Sequence, residues 1–416
     1  MRRLGFRLLA LVSIAAAAFP AGGPVHSLLV VSVDGLDWRY LRNRDGLGLR
    51  IPNMRRLMAE GRYAQGVLGV WPTITWPSHT SLITGVRPDQ HGILGNQRPK
   101  SEGGSYYWSV DFLKVRTLWN AVCDRGWTSA AVTWPVTVGA SITFNVPEYF
   151  LRRNGGSMDL EGVASKATRG LIDEISRTEP SFPQQWVDDR TRTLATVFLL
   201  REKRPDLLLV HLVDLDSEEH DQGPFGRNAN AVLERTDELL GQMLEALPKN
   251  YDFALVSDHG FERIDKTANV RVLLTGNRIQ GDVQPMGGIA VTSDPAVAQF
   301  LRTAAQHPAN GIGREIPHDE LVRYAPDLAN MVAAFEPAEH VMFGFADKGE
   351  YFTPPYEKGN HGFWPTRPDY RSVFLVTGPG IAAGSEPQMQ MLQIAGRLAA
   401  LLGLSFPLEV HHNAPE

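Results

Sequence analysis

Five short apolar runs punctuate the chain, and each ends in polar residues: SLLVVSVDG (27–35), SAAVTW (129–134), DLLLVHLVDLD (206–216), DFALVSDHG (252–260) and SVFLVTGPG (372–380). Near-continuous apolar runs of this length suit strands buried on both faces of a parallel sheet. Helix-like stretches lie among them at 52–62, 115–125, 184–203, 228–247 and 387–403. Strands alternating with helices predict an α/β sandwich with right-handed crossovers. Two segments break the rhythm. Residues 145–183 are polar and glycine-containing, and residues 262–357 mix short strand-like runs with Pro and Gly. The second segment separates the DHG strand from the KGNHGFW segment and reads as an inserted cap or lid subdomain within a domain spanning 22–416.

The N-terminus needs a separate reading. Arg2, Arg3 and Arg7 precede an apolar stretch at 8–19 (LLALVSIAAAAF), and small residues follow from Ala16 to Gly23. This is the pattern of a cleavable signal peptide over residues 1–21, and the run is shorter than the roughly 20 apolar residues of a permanent membrane helix. No later stretch reads as a membrane span. The sequence therefore predicts an exported protein, periplasmic or secreted. Loss of the leader removes three arginines and no acids, taking the formal charge from −5 to −8.

Composition narrows the chemistry. The chain has 416 residues, 43% hydrophobic and 21% charged, which excludes wholesale disorder. An acidic balance with no basic stripe argues against a dedicated nucleic-acid partner. One cysteine, Cys123, rules out an intrachain disulfide framework and cysteine-rich metal sites. Any metal must be held by Asp, Glu and His.

Ligands of open α/β sheets collect beyond the carboxyl ends of the strands, so the polar residues that end these runs are the ones to inspect. They are Asp34, Asp216 and the pair Asp258-His259. Asp216 and His220 are four apart, which places both on one face of a helix; Asp214 is a competing ligand that spacing does not exclude. His361 lies in a glycine-flanked loop where the backbone can approach a site closely. Carboxylates and imidazoles without thiolate fit Zn²⁺, with Mn²⁺ or Fe as alternatives, and six such ligands suffice for a two-metal centre. The segment 71–96 places four threonines and two serines among prolines and glycines before a helix-like stretch. A hydroxyl at a helix N-terminus beside a divalent cation can attack phosphorus, although composition does not say which hydroxyl does so.

The segments VDG (33–35), PTITWPSHTSLITGVRPDQHGILGN (72–96), DLDSEEHDQGP (214–224), SDHGF (257–261) and NHGF (360–363) together resemble the nucleotide pyrophosphatase/phosphodiesterase family of the alkaline phosphatase superfamily, in sequence and in order. The resemblance implies an alkaline-phosphatase-like α/β/α sandwich with a mostly parallel central sheet. It implies two divalent metal ions, zinc foremost, and hydrolysis of a small phosphodiester or nucleotide-like substrate. It casts Thr75 as the nucleophile that forms a covalent phosphoenzyme. Asp34, Thr75, Asp258 and His259 fall on the ligands of one zinc, and Asp216, His220 and His361 on those of the other. Asn96 falls on the amide donor to a phosphate oxygen.

Departures bear on substrate. The family usually reads Phe-Pro-Asn-His after the nucleophile, where this chain has Trp76-Pro77-Ser78-His79. The family's frequent tyrosine five residues before the second-site aspartate is His211. Trp76 and His211 are thus the candidate substrate contacts, and a preference for nucleotides does not follow. The strand end VTWPVT (132–137) lacks the Lys-x-Arg pair with which relatives grip a monoester dianion, which tilts the reading to diesters. Monoesters and phosphonates remain alternatives. A sulfatase is disfavoured because Thr75 is not a convertible residue, and a non-catalytic relative is disfavoured because no ligand is missing.

Overall fold

The computed structural model describes residues 26–182 and 185–406, so the leader expected at 1–21 lies outside the described residues. The apolar runs become β1 (Ser27–Val33), β3 (Ser129–Val132), β5 (Leu207–Leu212), β6 (Tyr251–Val256) and β7 (Phe374–Thr377). Three short strands join them: β2 (Arg62–Ala64), β4 (Phe144–Val146) and β8 (Gly384–Glu386). The sheet order is β8-β2-β7-β6-β1-β5-β3-β4. The five strands read from the pattern are the five contiguous central ones. Within this sheet β7 runs antiparallel to its neighbours β6 and β2, and the other pairings are parallel.

Burial explains why the centre was legible. Every residue of β1, β5 and β6 is buried. Alternate residues of β1 feed two cores, Leu29, Val31 and Val33 on one face and Leu28 and Val30 on the other. The first core packs Phe198, Leu233 and Leu240 from helices Asp189–Phe198 and Arg227–Ala246. The second packs Leu82, Trp119 and Leu398 from helices Thr75–Thr84, Leu118–Asp124 and Ile394–Leu401. The result is the three-layer α/β/α sandwich. Among the described residues, no helix is long and apolar enough to cross a membrane.

The segment between the DHG strand and His361 has a sheet of its own. Gln284–Met286, Ile289–Thr292, Ala333–Pro337 and Ile312–Glu315 form a four-stranded antiparallel sheet in that spatial order. Helix Pro295–Ala305 buries Val297 and Leu301 in a cluster that also holds Phe335. Trp71 and Trp364 of the core share a further cluster with Ile289, Val291 and Leu321 of the insert. The two flanking strands, Glu262–Arg263 and Gly359–Asn360, pair with one another, so the chain leaves and re-enters the core at one place.

Helix Thr75–Thr84 is buried along its whole length and ends at Gly85, whose φ of 73° supplies a left-handed cap. The loop beyond it returns to the helix through His91. The His91 Nδ1 accepts from the Ile93 N–H (3.1 Å), so its Nε2 carries the proton and donates to Ser81 Oγ (3.0 Å). Burial holds this imidazole neutral and pushes its pKa down from 6.5 to about 3. Unfolding therefore takes up a proton between those values, and the stability present above pH 6.5 is lost as pH falls toward 3. We expect His91→Gln to be less stable than wild type at pH 7, with the difference shrinking as pH falls through that window. Urea denaturation at a series of pH values measures it, and a pH-independent difference would exclude the neutral-imidazole account.

Candidate active site

The residues expected to carry chemistry converge beyond the carboxyl ends of β1, β5 and β6. Asp34 follows β1 directly, and Asp258 and His259 follow β6. Asp216 and His220 lie in the first and last turns of helix Asp214–Gln222, which begins two residues after β5. His361 follows the strand Gly359–Asn360.

Two overlapping clusters result. Asp216, His220 and His361 each bring one ligand atom within 4.8 Å of the others, and Asp34, Asp216 and His259 do the same. Asp216 Oδ1 is 3.5 Å from His220 Nε2 and 3.6 Å from His361 Nε2. His259 Nε2 is 3.2 Å from Asp34 Oδ1 and 3.1 Å from Asp258 Oδ2. The rings of His259 and His361 stack with centroids 3.7 Å apart, so the clusters share a wall.

The hydrogen bonds fix which nitrogen faces inward. The Nδ1 of His361 lies 3.2 Å from the Thr73 carbonyl, and that of His259 lies 3.2 Å from the Gly260 carbonyl. A carbonyl only accepts, so each Nδ1 holds the hydrogen and each Nε2 offers a lone pair. Asp34 Oδ1, Asp216 Oδ1, Asp258 Oδ2 and His259 Nε2 are buried without a hydrogen-bond partner. Unpaired buried acceptors in one place are costly unless a cation meets them. A carboxylate and imidazole set of this kind fits divalent cations.

Electrostatics give the same picture. Burial opposes ionisation of Asp34, but the adjacent imidazoles of His211 and His259 outweigh it and hold the carboxyl well below its usual range. Asp258 is pushed well above that range by burial and then by the charge of Asp34. Burial, followed by His259 and His220, drives His361 well below an ordinary imidazole.

Thr75 is the first residue of its helix, and no side chain caps that end; Ile74 precedes it. The free N–H groups there make a local positive pole. One of them, on Trp76, donates to Asn96 Oδ1 at 3.0 Å, which leaves the Asn96 Nδ2 as the donor beside Thr75. Thr75 itself is positioned from behind by its carbonyl, 2.9 Å from His79 Nδ1, while the other nitrogen of His79 is 2.9 Å from Ser32 Oγ.

The two candidate substrate contacts take different places from those expected. Trp76 is only 3% exposed. Its ring is roofed by Tyr106 and Trp108, at centroid distances of 5.2 and 6.1 Å, so it packs rather than opens to a ligand. His211 is fully buried beneath Asp34, with its Nε2 3.0 Å from Asp34 Oδ2 and its Nδ1 3.6 Å from Glu148 Oε2. It supports Asp34 and does not face substrate. Burial works against its charged form, yet Asp34 and Glu148 raise its pKa to about 9.

Several supporting residues escaped the sequence reading. Asp214, which spacing left in competition with Asp216, turns instead toward Arg192, 3.7 Å away. Burial and then Asp189 raise its pKa to about 7. Arg192 is fully buried and bonds Asp189 Oδ1 at 2.7 Å. Asp189 in turn accepts from the N–H groups of Val213 (2.8 Å) and Asp214 (3.0 Å), capping the helix that carries Asp216 and His220. Glu357 meets His220 Nδ1 at 2.9 Å. Asp189 and Glu357 both lie far in sequence from the helix Asp214–Gln222 that they support.

Fold and site together define an α/β sandwich of the alkaline phosphatase superfamily with a candidate two-cation centre. The chain belongs to the type I phosphodiesterase / nucleotide pyrophosphatase family, whose model matches residues 28–368. This is a family of hydrolases. Human ectonucleotide pyrophosphatase/phosphodiesterase family member 1 is 25% identical over 429 residues, a match that covers 93% of this chain but 41% of that protein. Human family member 7 is 24% identical, with 96% of this chain and 86% of that protein covered. The structure of human ectonucleotide pyrophosphatase/phosphodiesterase 5 superposes with a TM-score of 0.64 at 19% identity, covering 91% of this chain and 95% of that one.

The buried Arg192–Asp189 pair gives a stability prediction. Arg192→Met leaves the carboxylate of Asp189 buried without its countercharge, a change that typically costs about 3–5 kcal/mol. Chemical denaturation should show a loss of that order. A variant as stable as wild type would mean that the Val213 and Asp214 amides suffice for Asp189.

Proposed function

We propose that the protein is an exported hydrolase that uses two divalent cations, zinc foremost, to cleave phosphodiester or pyrophosphate bonds of a small, nucleotide-like substrate. The observation that carries this reading is the set of four unpaired buried ligand atoms, on Asp34, Asp216, Asp258 and His259, in a site whose His361 is held by the Thr73 carbonyl just ahead of the uncapped helix N-terminus at Thr75. The leader pattern at 1–21 supports export.

In this reading Asp34, Asp258 and His259, with Thr75, hold one cation, and Asp216, His220 and His361 hold the other. Bound there, divalent cations supply Lewis-acid stabilisation of phosphoryl charge and favour the ionised threonine hydroxyl. The Thr75 oxygen attacks phosphorus, the bond from phosphorus to the leaving oxygen breaks, and the departing alcohol or phosphate takes up a proton. Water then attacks phosphorus and releases Thr75. Asn96 donates from Nδ2 to a non-bridging oxygen, and the helix N-terminus adds its dipole to the same charge.

Asn96 is neutral, and the strand end 132–137 carries no cation, which suits the single charge of a diester over a monoester dianion. With Trp76 roofed and His211 buried, neither residue selects a nucleobase. The second ester group of the substrate must be recognised by other surfaces.

Metal analysis of the purified protein, with kinetics on bis-p-nitrophenyl phosphate and p-nitrophenyl phosphate, tests the reading. We expect two equivalents of metal and a higher kcat/KM on the diester. Thr75→Ala should retain fold and most of the metal while losing turnover, and Asn96→Ala should lose about 10²–10³ in rate. Wild-type turnover by Thr75→Ala would remove that residue from its role, and a faster monoester reaction would reverse the preference.

A further inference from the structure

The second cluster draws its imidazoles from two distant places, His220 on the last turn of helix Asp214–Gln222 and His361 in a loop 141 positions further along. Something must hold helix and loop in register for both Nε2 atoms to face Asp216 Oδ1. The segment Glu357–Asn360 is built against the helix. Its Lys358 N–H donates to the His220 carbonyl at 2.9 Å, and the Lys358 Nζ donates to Gln222 Oε1 at 2.9 Å. At Gly359 the approach is so close that a Cβ would stand 2.4 Å from the Glu219 carbonyl oxygen, which leaves no room for a side chain.

Side chains on this docked segment close a chain of contacts between the two imidazole-bearing residues. His220 Nδ1 donates to Glu357 Oε2 at 2.9 Å. The same carboxylate oxygen accepts from Asn360 Nδ2 at 2.8 Å. The Asn360 Oδ1 then accepts from the His361 backbone N–H at 2.7 Å. This bond to Glu357 places the hydrogen of His220 on Nδ1 and leaves Nε2 as the atom that points at Asp216. Oε2 of Glu357 and both polar atoms of the Asn360 side chain are thereby engaged in this chain of contacts.

We propose that Glu357 and Asn360 are positioning residues that set the tautomer of His220 and the register of His220 against His361, and so govern cation affinity at the cluster of Asp216, His220 and His361 alone. The inference rests on the assignment of Asp216, His220 and His361 as ligands, made above. It adds that this cluster is assembled by the segment closing the insert, where Glu262 also pairs with Asn360 in the flanking ladder.

The test is a Zn²⁺ titration of chelator-stripped full-length protein against a chromophoric competitor, which resolves the affinities of the two equivalents. Wild type should bind two. Glu357→Ala should bind one equivalent about 10–100-fold more weakly and the other unchanged, the usual effect of losing a partner behind a metal-bound imidazole. Glu357→Gln, whose amide oxygen still accepts from Nδ1, should recover much of that loss, and Gly359→Ala should reproduce it by lifting the segment from the helix. Thermal unfolding of the stripped proteins controls for misfolding of Glu357→Ala; the Gln variant, which keeps volume and hydrogen bond, serves if the Ala variant fails to fold. In a His220→Ala background, Glu357→Ala should cause a smaller loss, only the part that passes through Asn360 to His361.

Two strong equivalents in Glu357→Ala, or an undiminished loss in the His220→Ala background, overturn the clamp and leave the two-cation reading intact. Fewer than two equivalents in wild type overturns the two-cation reading and the clamp with it.

Discussion

Three carboxylates, Asp34, Asp216 and Asp258, are brought together with three imidazoles at the carboxyl edge of one sheet, and the rest of the site follows from the cost of doing so. Like charges at this separation in a buried place are unfavourable, as the opposed behaviour of Asp34 and Asp258 shows: one is held ionised, the other driven toward its neutral form. The sheet imposes this crowding because β1 and β6 are hydrogen-bonded neighbours in parallel register. Their ends must fall side by side, and whatever follows each strand must share the same space. Multivalent cations are the remedy consistent with acceptors that have no hydrogen-bond donor. The fold thus creates an electrostatic problem whose solution is the proposed chemistry.

A second tier of buried polar groups keeps that arrangement from relaxing. His211 stands between Asp34 and Glu148 and carries a countercharge into the layer beneath the site. His79 bridges Ser32 of β1 to the carbonyl of Thr75, so the nucleophile candidate is referenced to the same strand that presents Asp34. Arg192 and Asp189 secure the start of the helix bearing Asp216 and His220. Buried polar networks of this type are expensive when partly satisfied and rigid when complete. Rigidity is what a centre needs if its ligands are to converge before any cation arrives.

How much of this was legible in the sequence follows from what sequence periodicity measures. Strands buried on both faces announce themselves, and β1, β5, β6, β3 and β7 were readable for that reason. The outlying strands β2, β4 and β8 are three residues each, too short to set a pattern against their loops. The antiparallel course of β7 was equally hidden, because direction in a sheet leaves no trace in hydrophobicity. Ligands were legible where a strand end names them, as with Asp34 and Asp258. Spacing placed Asp216 and Asp214 on equal terms, and the resemblance together with the pull of Arg192 on Asp214 separates them. Glu357 was beyond reach: it acts on His220 across 137 positions of chain, and its own surroundings, YEKGN, look like any polar turn. Trp76 and His211 were read by analogy with positions in relatives, and local packing gave each a different neighbourhood.

The insert is tied to the centre more closely than its place in the chain suggests. The ladder between Glu262–Arg263 and Gly359–Asn360 begins three residues after His259 and ends immediately before His361. Those two imidazoles stack face to face, one from each cluster. A movement of the insert relative to the sheet therefore acts on both clusters through two very short lever arms. The packing of Trp71 and Trp364 against Ile289, Val291 and Leu321 resists such movement with an apolar contact, and the Arg39 and Arg367 guanidiniums near Glu262 add a charged one. An insert that only covered the site could be joined to it by loose linkers. This one is joined by a ladder and by residues in contact with both clusters, so insert and clusters are mechanically linked: a displacement of the insert also reaches the geometry of His259 and His361.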